Sequence, residues 1–236
     1  MTPFEAVGFQ FLSFEHITGI AAVCIVIGAL ALGMRSFPKP AFGQVSRILI
    51  AGVLVLAVGG ELVLDIVWFG FNIRHHVPLH LCDVSLAALL VALLWRRQWF
   101  FEFAYYFGVP GAVIALLTPD IGEPGFSSGC FRFFFVHAAI LAGVTVLIGG
   151  LGMRPGRGAP LRAVVAGHLY VLVAGTFNAV TGTNYGYLCG PPGVPSPVDY
   201  LGPWPWYLIA FEAGGLALVA AMSLPFARRW KAMPEK

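Results

Sequence analysis

Seven long apolar runs recur along the chain, at about 13–34, 47–69, 79–95, 101–118, 131–151, 162–182 and 203–226. A helix needs roughly 20 apolar residues to cross the hydrocarbon layer of a bilayer. The third and fourth runs are short, but together the seven leave no room for a soluble domain. The expected fold is all-α: one domain over 1–236, a polytopic membrane protein built as a seven-transmembrane-helix bundle. Composition points the same way. Hydrophobic residues make up 58% of the chain and charged residues 11%, against about 25% charged in a soluble domain. The start, MTPFEAVGF, lacks the basic flank of a cleavable signal.

The loops orient this bundle. Arg35, Lys39 and Arg47 flank the first connection, Arg96 and Arg97 the third, and Arg154, Arg157 and Arg162 the fifth. Arg228, Arg229, Lys231 and Lys236 follow the last run, so only Arg74 and Arg132 fall on the opposite side. Cationic loops stay in the cytoplasm. The N-terminus is therefore expected outside and the C-terminus inside, in a bacterial cytoplasmic membrane. The cytoplasmic flanks account for the net charge of +3, and no nucleic-acid partner is implied.

Ionisable groups inside membrane helices are costly and mark functional sites. Here they gather at one depth. Glu15 and His16 open the first helix. Glu61 and Asp65 share a face near the external end of the second, four residues apart. His80, Cys82 and Asp83 begin the third, and Thr118 and Asp120 end the fourth. Arg132 and His137 begin the fifth, while Asn178, Thr181 and Asn184 close the sixth, with Tyr185 beside them. Only His168 and Glu212 fall deeper. Interhelical hydrogen bonds made for packing alone would scatter over many depths, so a shared layer reads as an external pocket.

The densest wall of that pocket is HHVPLHLCD, residues 75–83. Pro78 suits a first helical turn, and His80 and Asp83 then share a face, with Cys82 pointing elsewhere. A thiolate is a strong nucleophile, and a helix start or a nearby histidine favours it. Cys82 needs a base from another helix: His137 is the first candidate and His16 the second. Asp83 would orient a histidine. Metal binding is the rival chemistry, yet no HExxH or CxxC spacing is present, and no metal or cofactor is expected. Cys24 reads as packing. Cys130 and Cys189 fall in external connections where a disulfide is permitted. Trp204, Trp206 and Tyr207 read as interfacial anchors.

Five blocks carry a resemblance: FEHITG (14–19), PLHLCDVS (78–85), FEFAYYFGVPGAVIALLTPD (101–120), NYGYL (184–188) and LGPWPWY (201–207). In this order they resemble the YwaF-like family of integral membrane proteins, which includes the animal transmembrane protein 164. The resemblance implies a compact helical membrane fold. From the animal branch it implies an acyltransferase acting on ether phospholipids through a cysteine near the start of a central helix. Cys82 matches that cysteine, with His137 as the partner histidine.

Two functions follow. The first is acyl transfer to, or hydrolysis of, a membrane lipid, a phospholipid or lysophospholipid, at the extracytoplasmic leaflet. Cys82 is the nucleophile, His137 the base, and His80, Asp83, Glu61, Asp65 and Asn184 the supporting groups. Arg132 is placed to meet a lipid phosphate or to pair with Asp120. The second is a transporter or ligand-binding bundle in which Glu15, Glu61, Asp65 and Asp83 hold a cation. The apolar cytoplasmic half favours the first.

Overall fold

The computed structural model describes residues 11–37, 40–119, 121, 127–193 and 196–232, and among them the chain is helical, with no strand. Helix α1 spans Phe14–Ser36. Helix α2 runs from Pro40–Leu54 through a π turn, Val55–Gly59, into Gly60–Phe69. Helix α3 is Leu81–Trp95. Helix α4 runs from Gln98–Phe103 through a second π turn, Ala104–Gly108, into Val109–Leu117. Helices α5, α6 and α7 are Ser128–Gly149, Ala159–Thr181 and Tyr207–Lys231. Six of these are long and apolar enough to cross a membrane, and α3 is apolar but only 15 residues long. The chain is thus an integral membrane protein.

Local chemistry sets most of the boundaries. The Ser13 and Ser127 side chains accept from the His16 and Cys130 backbone N–H groups at 3.3 and 3.1 Å, each satisfying a donor that the first turn leaves open. Arg96, in the left-handed conformation, ends α3, and Arg97 caps α4, so the reversal between them needs two residues. Gly182 ends α6 with φ 66°. Two expected boundaries are corrected. Helix α2 begins at Pro40 rather than near 47, because a proline is tolerated in a first turn. Helix α3 begins at Leu81, leaving Pro78 outside it.

Close approaches fix how the rods sit. Gly19 lies against the Phe134 ring and Gly149 against Met34, the same sequence offset at both ends, so α1 and α5 run parallel in one register. Leu89 packs onto Gly143, and Ser85 with Ile140 onto Gly108, which sets α3 parallel to α5 and binds both to α4. With the end holding Phe14 taken as upper, α3 starts low. The Leu89–Gly143 contact puts Leu81 level with Phe135, seven residues below the first residue of α5, or roughly 10 Å at 1.5 Å per residue. The α2 side agrees: Arg47 donates to the Leu93 carbonyl near the lower end, and α2 then climbs past the start of α3.

The core lies where α3, α4 and α5 meet, with Leu89, Leu93, Phe101, Tyr106, Ile140 and Leu147 buried. Helices α1, α6 and α7 are largely exposed along their apolar faces, as lipid-facing helices are. A close backbone approach joins α2 to the end of α5: a Cβ on Gly43 would lie 2.8 Å from the Gly150 backbone. Gly43→Ala is therefore expected to destabilise the protein by about 1–3 kcal/mol, read as a lower thermal unfolding midpoint in lipid–detergent micelles. Gly52→Ala, whose added Cβ meets nothing within 4 Å, is expected not to lower it.

Candidate functional site

The recessed start of α3 leaves the LHLCD end of HHVPLHLCD half-buried, while His75 and Pro78 stay exposed. His80 is the N-cap, in extended conformation, and its backbone N–H donates to Asp83 Oδ2 at 3.1 Å. The acid expected to share a helical face with His80 instead caps the helix from inside. The Cys82 thiol donates to the other oxygen, Asp83 Oδ1, at 3.8 Å. Cys82 and Asp83 are half-buried.

A cap of tyrosines holds the loop above. Tyr170 of α6 donates to the Leu79 carbonyl at 3.1 Å and Tyr185 to the Ile73 carbonyl at 2.6 Å. The His80 ring meets Tyr185 edge-on at 5.0 Å and Tyr187 at 5.7 Å. Buried Asn178 places Tyr185: its amide donates to the Tyr185 carbonyl at 2.9 Å and its oxygen accepts from the Tyr185 N–H at 2.8 Å. Asn184 folds the next turn in the same way, bonded to Cys189 N and Gly190 O. Both asparagines thus serve the loop. Burial pushes the Tyr185 phenol above its ordinary pKa, which keeps it a donor.

The candidate histidines are sorted by their nitrogens. His16 is buried, accepts from the Leu12 N–H at Nδ1 (3.0 Å) and donates from Nε2 to the Leu116 carbonyl (2.8 Å). Both nitrogens are engaged, which removes it as the second candidate base. His137 is buried too, and its Nδ1 donates to the Phe133 carbonyl at 2.7 Å. A carbonyl only accepts, so Nδ1 carries the proton and neutral His137 has its lone pair on Nε2. Among the described residues nothing hydrogen-bonds to that atom. The α3–α5 register sets His137 level with Asp83. No hydrogen bond joins Cys82 to His137 in this conformation.

The other expected residues divide. Glu61 pairs with Arg132 at 3.5 Å, both partly exposed, so the described partner of Arg132 is Glu61. Asp120 lies outside the described residues. Glu15 and Asp65 are half-exposed on α1 and α2. The four cysteines are free: Cys130 is buried inside α5 and Cys189 exposed, while Cys24, expected to pack, is exposed on α1. Tyr207 is buried and donates to the Tyr187 carbonyl rather than anchoring at an interface. Among the described residues no three His, Cys, Asp or Glu side chains gather as a metal site. An apolar groove lies on α6 along Leu172, Thr176 and Val180, and a small cavity lies beside Glu102 and Arg162; neither borders Cys82.

The lower half is not apolar, contrary to expectation. Glu102 of α4 is buried and accepts two bonds from Arg162, each 2.8 Å, one from Gln98 at 2.9 Å and one from Gly156 N at 3.1 Å. Trp99 lies beneath the Arg162 guanidinium at 5.9 Å. The signal was a carboxylate four residues after Gln98 in an aromatic run, but its partner is 60 positions away. Both Glu102 oxygens accept, Oε1 from three donors and Oε2 from one, so this is a latch between α4, α6 and the loop that leads into α6.

The model of the TMEM164 family matches residues 11–223. The chain belongs to the TMEM164 family. The match covers all seven helical rods except the last turns of α7. No curated protein and no solved structure matches the chain.

The latch makes a prediction about stability. Glu102→Ala leaves Arg162 without its partner and is expected to cost about 3 kcal/mol. Glu102→Gln, which keeps part of the hydrogen bonding, is expected to cost less. Thermal unfolding of both variants in one lipid–detergent mixture checks the order.

Proposed function

We propose that this member of the TMEM164 family moves acyl chains on membrane lipids, by transfer or hydrolysis, at a site opening to the upper end of the bundle. In this reading α3 is a seventh span, shortened because its start is sunk into the bundle. The upper end, poor in basic residues, faces out of the cytoplasm, with the N-terminus outside and the C-terminus inside. The membrane is a bacterial cytoplasmic membrane, and the partners are phospholipids or lysophospholipids.

The observation that carries the chemistry is the tautomer of His137. Its Nδ1–H is held by the Phe133 carbonyl, so its Nε2 lone pair is available at the level of a cysteine in the first turn of a helix. Asp83 touches the thiol, but its other oxygen is engaged by the His80 backbone. In the proposed cycle Cys82 Sγ attacks the ester carbonyl and its proton passes to His137 Nε2. The tetrahedral intermediate collapses, the carbon–oxygen bond of the ester breaks, and the same proton leaves with the departing hydroxyl. An acyl thioester remains on Cys82. A lysolipid hydroxyl or water then gives its proton to His137, attacks the thioester and releases the thiolate, which regains the proton. His80, fixed by Tyr185 and Tyr187, and Asp83 keep the first turn of α3 in place. Glu15, Glu61, Asp65 and Arg132 line the approach.

The transport reading finds less support. A cation path needs a free group at the lower end, and Glu102 there is buried and paired with Arg162.

Purified protein in lipid, treated with an ester-bearing lipid probe, is expected to form a thioester on Cys82. Cys82→Ala should abolish the adduct. His137→Ala should slow its formation by roughly 100-fold or more, while Asp83→Asn should have a smaller effect. Labelling unchanged in Cys82→Ala would sink the cysteine mechanism. Loss in Asp83→Asn with retention in His137→Ala would transfer the base role to Asp83.

A further inference from the structure

His168 of α6 and Glu212 of α7 lie side by side on a surface that faces away from the bundle. The contact is 3.4 Å and the side chains are 61% and 52% exposed. His168 lies nine residues above the first residue of α6 and thirteen below its last, roughly 14 and 20 Å along the helix axis. His168 is thus near the middle of its span, and Glu212, five residues below the first residue of α7, reaches it from above. Ionisable groups at such depth almost always face a bundle interior or a water-filled cavity, and these two do neither.

The pair is also incompletely bonded. His168 Nδ1 donates to the Val164 carbonyl at 2.8 Å, so Nε2 is the atom facing Glu212 Oε1. A charged N–H···O bond is normally about 2.7–2.9 Å, so 3.4 Å leaves room to shift. Glu212 Oε2 makes no hydrogen bond among the described residues. A lipid tail offers neither donor nor acceptor to complete the set.

Beside the pair, α7 is shaped for close approach by another helix. Glu212, Ala213, Leu216, Ala217 and Ala220 recur at three- and four-residue spacing and all are exposed, so they share one face. Gly214 next to them has no neighbour within 4 Å of an added Cβ. Small residues let membrane helices meet with their backbones close, and polar side chains then bond across the contact.

We propose that a second copy of this chain covers this face, the two α7 helices crossing about a two-fold axis at Ala213 and Ala217. Charge complementarity selects the occupant. The surface carries a histidine and a carboxylate side by side, so it complements itself: a two-fold axis sets the acid of each copy near the histidine of the other. An isologous contact demands that kind of self-matching. The inference stands independently of the acyl-transfer reading, because none of these residues takes part in the proposed cycle.

The test uses the full chain in phosphatidylcholine–phosphatidylglycerol vesicles, diluted with excess lipid. Copies per particle are counted by stepwise photobleaching of a dye at the C-terminus. In a Cys24→Ser, Cys189→Ser background, Ala217→Cys is compared with Leu32→Cys, an exposed position on α1, for oxidative cross-linking. The expected result is two-step bleaching and a cross-link at 217 but not at 32. Glu212→Leu should weaken dimerisation by roughly 3- to 20-fold. One-step bleaching at every dilution overturns the proposal. So does equal cross-linking at both positions, or a different protein held in place of the second copy.

Discussion

The packing of Leu89 onto Gly143 is the contact on which the upper half of this protein depends. It locks α3 to α5 at a register that leaves the shorter helix about 10 Å low. Everything chemical above it follows from that recess: a helix start, with its unpaired N–H groups, lies inside the bundle rather than at the membrane surface. Such a start needs an acceptor among the helices, and Asp83 supplies it by closing back on His80. The carboxylate is then in place to receive the Cys82 thiol. A side chain larger than hydrogen at 143 would lift α3 away from α5 and undo this sequence of contacts.

Polar groups in the two halves of the bundle do different work. Above, Tyr185, held by Asn178 of α6, ties the loop before α3 to the end of α6. Below, Glu102 and Arg162 fasten α4 to α6. The two π turns lie between. The one at Ala104–Gly108 ends at the glycine against which Ser85 and Ile140 pack, and it turns Tyr105 and Tyr106 toward α7, where they bond Met222 O and Ser223 Oγ. A π turn is a local wide turn of helix found often at functional sites; here it lets one rod serve α3 on one side and α7 on the other.

Much of this was legible in the sequence. Apolar run length gives every helix, and the clustering of acids and histidines near one end gives the layer that holds Cys82, Asp83 and His137. The family follows from blocks spread along the whole chain. What could not be read depends on pairing at long range. Nothing local separates His16 from His137, since the difference is a carbonyl a hundred residues away in one case and four in the other. Glu102 escaped notice because its partner opens a helix two spans later. Tyr207 looks like a membrane anchor beside Trp204 and Trp206 until the fold brings the Tyr187 carbonyl to it. Proline-led helix starts, as at Pro40, extend helices into polar sequence where apolar run length gives no signal.

The recess bears on what would become of an acyl group once it sat on sulfur. If Cys82 carries an acyl group as proposed, the loop that Tyr170 and Tyr185 hold lies over the start of α3, between the thioester and the upper surface. In that reading, the competition between water and a lipid as acceptors depends on how firmly this loop is held. Loosening the Asn178–Tyr185 bonds would shift the balance from transfer toward hydrolysis while leaving Cys82, Asp83 and His137 untouched. Relatives that share the reacting groups could thus differ in product through a few loop hydrogen bonds alone.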